Sequence, residues 1–250
     1  MYLNTKGLVL REAVYKETSR ILTVLTSDAG KQTVTARGAK RRGSRIAGAS
    51  QLLAFSDMML YGSRGRWVLT EARPIEIFEP LRSDLEKMSL GSYFAELLEA
   101  VSDEEIPNPE LLSLGLNALF ALSEGKRKNA LVKSAFELRL MCLAGFEPDV
   151  SACQVCGRTD VSAPRLDLSG GVVRCRDCRG EEPAGRAVPL CAGSLDAMRY
   201  IVGCDPKKLF SFTLGDEALS RLSAAAEAFA LTQLDRGFGT LEFYRSIKEE

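Results

Sequence analysis

Four cysteines carry the most specific chemistry in this chain. Cys153-Gln154-Val155-Cys156 and Cys175-Arg176-Asp177-Cys178 are two C-x-x-C pairs with eighteen residues between them, inside the spacing window of a four-thiolate zinc site. Each pair makes a tight turn that sets two thiolates on one side of a tetrahedron. Gly157 and Gly180 follow the pairs, where backbone N–H groups can reach the sulfurs. Four thiolates leave no open coordination position, so the expected ion, one zinc per chain, is structural and not hydrolytic. A redox pair would need a thioredoxin-like βαβ context that this sequence lacks, and an iron-sulfur cluster is the other four-thiolate occupant. Cys142, Cys191 and Cys204 complete an odd count of seven and are expected to pack as small apolar residues. Paired knuckles with an odd total suit a metal site in a reducing cytoplasm better than a secreted disulfide framework.

The second constellation is cationic. Arg37-Gly38-Ala39-Lys40-Arg41-Arg42-Gly43-Ser44-Arg45 holds five cations in nine residues, and guanidinium forks bind phosphate oxygens bidentately while glycines let a loop follow a flexible backbone. Arg37, Lys40, Arg41, Arg42 and Arg45 are therefore the expected phosphate contacts, with Arg11 and Lys31 in support. Residues 1–50 hold ten basic side chains against three acidic ones. The chain as a whole is balanced at 33 against 33, so a +7 end faces a −7 remainder. Such asymmetry points to a polyanion-binding part joined to a more acidic one; the plainer reading of the same run is a solvated loop. Tyr15, in a polar turn, is the candidate for stacking on an unpaired base, whereas Phe55 and Trp67 are expected inside the barrel, which needs large side chains.

The elements that must position these groups change character along the chain. Gly7 to Arg11, Ile21 to Thr26, Gln32 to Arg37, Met58 to Tyr61 and Trp67 to Thr70 read as short strands, with turns at Ser27 to Gly30 and Gly62 to Gly65. Ser44 to Leu53 is helix-compatible, and five strands with a helix after the third form the pattern of an OB-fold. From Asp84 onward the apolar spacing becomes helical: Leu90, Phe94, Leu97, Leu98 and Val101, then Leu112, Leu116, Leu119 and Phe120, then Leu131, Ala135, Leu138 and Cys142. Ser83 is the expected N-cap of the first helix, Pro107 and Pro109 part the first two, and Gly145 with Pro148 ends the third. Ser169-Gly170-Gly171 would turn a hairpin between the cysteine pairs. Helices resume at 194–202 and 216–234. The expected fold class is multi-domain α+β: an N-terminal OB-fold β-barrel over residues 1–80, and a C-terminal α-helical domain over 81–250. A four-cysteine zinc ribbon is inserted at about 149–183.

Much chemistry is excluded. The chain has no histidine, which removes Ser-His-Asp and Cys-His nucleophilic sites and imidazole metal ligation. Gly30-Lys31 would need glycine at 25 and Ser or Thr at 32 to form a phosphate-binding loop; Leu25 and Gln32 stand there. No apolar run approaches the roughly 18 to 20 residues of a membrane helix, and residues 1–30 lack a signal-peptide core, so a cytoplasmic protein without catalytic activity is expected.

In their order, several segments resemble the DNA repair and recombination mediator protein RecO family across nearly the whole chain. They are Gly30-Lys31, Ala36-Arg37-Gly38-Ala39-Lys40 and Ser44, Leu69-Thr70-Glu71-Ala72, Asp84-Leu85, Tyr93-Phe94-Ala95-Glu96-Leu97, Phe136-Glu137-Leu138, Gly145-Phe146-Glu147-Pro148 and Gly170-Gly171. Leu52-Leu53-Ala54-Phe55 departs from the family's Leu-Gln-Pro-Phe, and Gln233 to Gly237 lacks a histidine common there. The resemblance implies binding of single- and double-stranded DNA, annealing of complementary strands without ATP, and association with RecR. It also implies recognition of the C-terminal tail of single-strand DNA-binding protein, and indirectly loading of RecA. Lys133 and Arg139 flank Phe136 on the third helix, where cations beside an apolar groove could receive that tail's carboxylate, although helix-surface charge explains them too. A different class of function, a protein-interaction scaffold whose basic loop meets an acidic partner, uses the same loop and ribbon. A zinc-ribbon nuclease would require metal-dependent cleavage.

Overall fold

The computed structural model describes residues 1–63, 66–178 and 186–249. Gly180 and the tip of the Gly62–Gly65 turn lie outside the described residues. The chain divides into two compact units, one of Met1–Glu124 with Phe238–Glu250, the other of Gly125–Gly237.

The first unit starts with five strands: β1 (Tyr2–Tyr15), β2 (Ser19–Thr26), β3 (Gly30–Ala36), β4 (Phe55–Ser63) and β5 (Arg66–Glu76). They close into a barrel in the order β1-β2-β3-β5-β4. All neighbours are antiparallel except β3 and β5, which run parallel through Val34 opposite Trp67; this is the OB-fold arrangement. Inward residues recur with the strand period of two: Leu22 and Val24 on β2, Met58 and Leu60 on β4, with Val9, Val34 and Leu69 completing the core. Trp67 packs against this cluster from its edge. Leu8 and Leu25 face each other across β1 and β2 and are also fully buried, because the barrel's outer side is covered there by helices.

Those helices are a short α1 (Glu79–Arg82), α2 (Leu85–Val101) and α3 (Pro109–Glu124). Gly91 on α2 sits where a Cβ would come 2.8 Å from Leu53, and Gly115 on α3 where one would come 2.6 Å from Leu98 and 3.6 Å from Leu8. The missing side chains let the helices lie close on the barrel and on each other. The N-cap of α2 is Asp84, whose carboxylate accepts the Lys87 N–H at 3.1 Å; the expected cap, Ser83, instead donates to the Pro80 carbonyl. A carboxylate is the stronger acceptor and also suits the positive end of the helix. The segment after β3 holds only a single 3-10 turn at Gly48–Ser50 where a helix was expected.

The second unit contains α4 (Asn129–Leu143), the small strands β6 (Arg165–Asp167), β7 (Val172–Arg174) and β8 (Ala187–Pro189), then α5 (Ala192–Gly203) and α6 (Asp216–Leu234). A last helix, α7 (Gly239–Glu249), belongs to the first unit. The Phe238 ring meets Tyr93 edge-on at 5.9 Å, and Thr240 donates its N–H and hydroxyl to Glu96 of α2. Gly145 ends α4 at φ +87°, with the Phe146 N–H returning to the Met141 carbonyl at 2.8 Å, a left-handed helix stop. Among the described residues, no helix is long and apolar enough to cross a membrane.

Candidate nucleic-acid interface and metal centre

The basic loop leaves β3 at the same end of the barrel as the β1–β2 turn, Lys16 to Thr18, and is tied to it. The Lys40 N–H donates to the Thr18 carbonyl at 3.0 Å, and the Gly38 N–H donates to Ser19 Oγ at 3.3 Å. Inside the loop the Arg41 N–H returns to Gly38 and the Ser44 N–H to Arg41, each at 3.0 Å. Gly38 and Gly43 take the left-handed φ values these turns require, +68° and +75°. Ala39 is the inward anchor, 1% exposed against the barrel core. The backbone is thus held while Arg37, Lys40, Arg41, Arg42 and Arg45 all stand exposed. Among the described residues none of the five has an ion-pair partner. Exposed cations without an acidic neighbour keep their whole charge for a ligand.

Tyr15 stands at the end of β1, 42% exposed, with the Lys16 ammonium 5.4 Å from its ring centre. Tyr15, Arg37 and Arg41 border one cavity of about 340 Å³. Arg11 and Lys31, the expected supporting cations, each reach Glu99 of α2. Arg11 Nε pairs with Glu99 Oε1 at 3.2 Å, and Lys31 Nζ donates to the Glu99 carbonyl at 2.9 Å, in the last turn of α2. Five residues of β3 separate Lys31 from Arg37, and six steps of strand rise make about 20 Å. Both cations fasten α2 to the barrel, a pairing invisible in sequence because Glu99 lies far along the chain.

The proposed receptor for a partner's carboxylate is corrected by burial. Lys133 is 2% exposed and its ammonium lies 2.7 Å from both Glu137 Oε1 and Glu227 Oε2; Phe136 is fully buried. Apolar neighbours cover most of α4, not one stripe, so its cation turns inward and takes two carboxylates with it. Arg139 donates to the Cys204 carbonyl at 2.7 Å, close to the Cys204 sulfur at 3.2 Å.

The candidate metal centre lies in the second unit. The sulfurs of Cys153, Cys156, Cys175 and Cys178 all fall within 4.8 Å of one another. Cys153 and Cys178 are 3.8 Å apart and Cys156 and Cys175 are 3.7 Å apart, matching the edge of about 3.8 Å that four metal–sulfur bonds of about 2.3 Å generate. The Cys175–Cys178 edge is shorter, 2.9 Å. Gly157, at φ +69°, closes the first knuckle with its N–H on the Cys153 carbonyl at 2.9 Å. The hairpin expected at Ser169 to Gly171 joins β6 to β7, with Asp167 Oδ1 accepting the Ser169 and Gly170 N–H groups. β8 completes the sheet on the other edge of β6. Burial opposes ionisation of Cys153, but the N–H groups of Cys156, Cys175 and Val155 outweigh it and lower its thiol to about 6. Hydrogen bonds among the sulfurs, first from Cys175 and then from Cys156, hold Cys178 protonated well above the ordinary thiol range. Four sulfurs set this close form a donor set that could hold a metal ion.

One functional residue had no sequence signal. Arg199 of α5 donates to the carbonyls of Val150 at 2.8 Å, Ser151 at 3.0 Å and Thr159 at 2.7 Å, clamping the segments on both sides of the first knuckle. An arginine late in a predicted helix reads as a solvated charge; its targets are irregular backbone, which has no pattern.

Comparison with known proteins bears on both sites. A family model described as recombination protein O, N-terminal, matches residues 1–78, and its C-terminal counterpart matches residues 82–242. Proteins named DNA repair protein RecO are similar over the same span. The one from Acetivibrio thermocellus is 28% identical, covering 98% of this chain and 97% of that protein. That of Symbiobacterium thermophilum is 30% identical, covering 98% and 97%, and that of Desulforudis audaxviator 37%, covering 73% and 72%. With a closed barrel of this order, a helical C-terminal region and a four-cysteine cluster set between two of its helices, the chain belongs to the recombination protein O family of DNA repair proteins.

Proposed function

We propose that this protein is a non-catalytic recombination mediator that binds single- and double-stranded DNA through the loop after β3 and anneals complementary strands without ATP. The observation that carries the reading is five exposed cations, unpaired among the described residues, on a backbone anchored to the β1–β2 turn. Phosphate contacts release counterions and supply affinity regardless of sequence, which is what bringing two strands together requires. No reacting side chain is needed.

In the family's setting this activity works in the cytoplasm, at the nucleoid, with RecR, with the C-terminal tail of single-strand DNA-binding protein, and upstream of RecA loading. The tail then meets a surface other than Lys133 and Phe136. The four cysteines hold a structural zinc ion that keeps the β6–β7–β8 module folded, since thiolates favour zinc and a closed set leaves no place for a substrate. The test is annealing of two complementary labelled oligonucleotides without nucleotide or added protein. Wild type should accelerate annealing, and the Arg37→Ala/Lys40→Ala/Arg41→Ala variant should fall toward the spontaneous rate. Equal acceleration by both proteins would remove the loop from the mechanism, and no acceleration by wild type would contradict intrinsic annealing.

A further inference from the structure

The cavity beside the loop joins cations to an aromatic ring. Its volume is about 340 Å³, and it is lined by Tyr15 at the end of β1, by Lys16, Thr18 and Ser19 after it, and by Arg37, Gly38 and Arg41 of the loop. Three cations and an aromatic ring line it, and no acidic residue does. The loop and turn that line the cavity are tied to each other by two hydrogen bonds, Lys40 N–H to Thr18 and Gly38 N–H to Ser19. Ser19 Oγ spends its acceptor on Gly38, which leaves its hydroxyl proton to donate. Lys16 holds φ +56° at the rim, a conformation glycine adopts with less strain, and carries its ammonium to the Tyr15 ring.

We infer that this cavity seats one unstacked nucleotide, its base against Tyr15 and its flanking phosphates on Arg37 and Arg41, so that the loop distinguishes unpaired from paired DNA. The inference rests on the DNA-binding reading of the loop and adds a strand preference to it. An inorganic phosphate would use the cations but leave the ring and most of the volume idle, and the cavity lies at the small end of the range for organic ligands. A base in a duplex has both faces stacked and its edge paired, so it enters only after unstacking, whereas a single strand offers bases already free. The bland alternative is that Tyr15 only packs under Lys16, in which case changing it leaves DNA binding alone.

The test measures the affinity of the full chain for a short oligothymidylate, for an all-abasic strand of equal phosphate count, and for a duplex, with wild type, Tyr15→Ala and Tyr15→Phe. Tyr15→Ala is expected to weaken oligothymidylate binding about 5- to 100-fold, the range for losing one stacked base. It should leave the duplex, the abasic strand and the salt dependence of binding as they are, and Tyr15→Phe should restore wild-type affinity. The abasic strand should bind wild type as weakly as oligothymidylate binds Tyr15→Ala, because each removes one side of the same stack. If Tyr15→Ala binds all three ligands like wild type, while affinity still depends on the loop cations, the nucleotide seat is wrong and the loop reading stands. If wild type binds none of them at low salt, both fall.

Discussion

The cysteines show how a single residue type divides by surroundings. Four of the seven converge on one point, while Cys142 and Cys191, both half-buried, are driven in opposite directions. Burial, with the Glu147 carboxylate adding to it, pushes the Cys142 thiol up to about 11. Burial also opposes ionisation of Cys191, but the Ser194 hydroxyl and backbone N–H and the nearby Arg221 outweigh it and lower its thiol. With metal protecting the cluster, iodoacetamide at neutral pH should alkylate Cys191 well before Cys142, as peptide mass spectrometry would read. The reverse order would contradict the hydrogen-bond assignment. The Cys142 shift also has a sign for stability: between the ordinary thiol value and about pH 11 the unfolded chain releases a proton that the folded chain keeps, so stability falls as pH rises. The Lys133 ammonium makes a second residue-scale case. Lys133→Met strands Glu137 without its buried cation and should cost about 3–5 kcal/mol in urea denaturation, with part recovered when Glu137→Met is added. A neutral single variant would mean that water reaches the pair.

Among the elements, the barrel and the cysteine module were legible because each has a pattern of its own: alternation in β2 and β4, and fixed knuckle spacing around the Ser169 to Gly171 turn. The limits of that legibility are physical. β1 runs from Tyr2 to Tyr15, well beyond the expected Gly7 to Arg11, because its ends are held by ladders to β2 and β4 and not by burial. α7 has one apolar face and many charges, and it becomes a packed element by returning to α2, where Thr240 meets Glu96 and Tyr244 meets Glu86. The links of Arg11 and Lys31 to Glu99 were not legible because Glu99 is distant in sequence. Gly30 was a turn in the sequence and is more in the fold: it holds φ +64°, and a Cβ there would come 2.4 Å from the Ile106 backbone. Gly30→Ala should therefore cost about 2–5 kcal/mol, combining left-handed strain with overpacking, in a chemical denaturation curve. An unchanged midpoint would mean that the segment around Ile106 moves aside. In the cysteine module, Arg199→Ala should speed zinc transfer to a chromophoric chelator roughly tenfold or more, as loss of an outer-shell support does. An unchanged rate would show that the knuckle holds itself.

For the molecule as a whole, zero net charge hides a division. Residues 1–50 carry ten basic against three acidic side chains, but the fold sorts even these. Arg20 is paired to Glu12 at 3.2 Å and Arg11 to Glu99, which leaves the Arg37–Arg45 loop as the concentrated source of free positive charge. A chain that were merely soluble would gain nothing from presenting those cations on an anchored backbone. The most direct test is equilibrium binding of fluorescein-labelled single-stranded DNA by anisotropy over a salt series, for wild type and for the Arg37→Ala/Lys40→Ala/Arg41→Ala variant. If the loop is the phosphate interface, the variant binds more weakly to any sequence and its slope of log affinity against log salt is shallower by about 2 to 3. Parallel slopes for the two proteins would place the DNA elsewhere on the molecule and contradict the account.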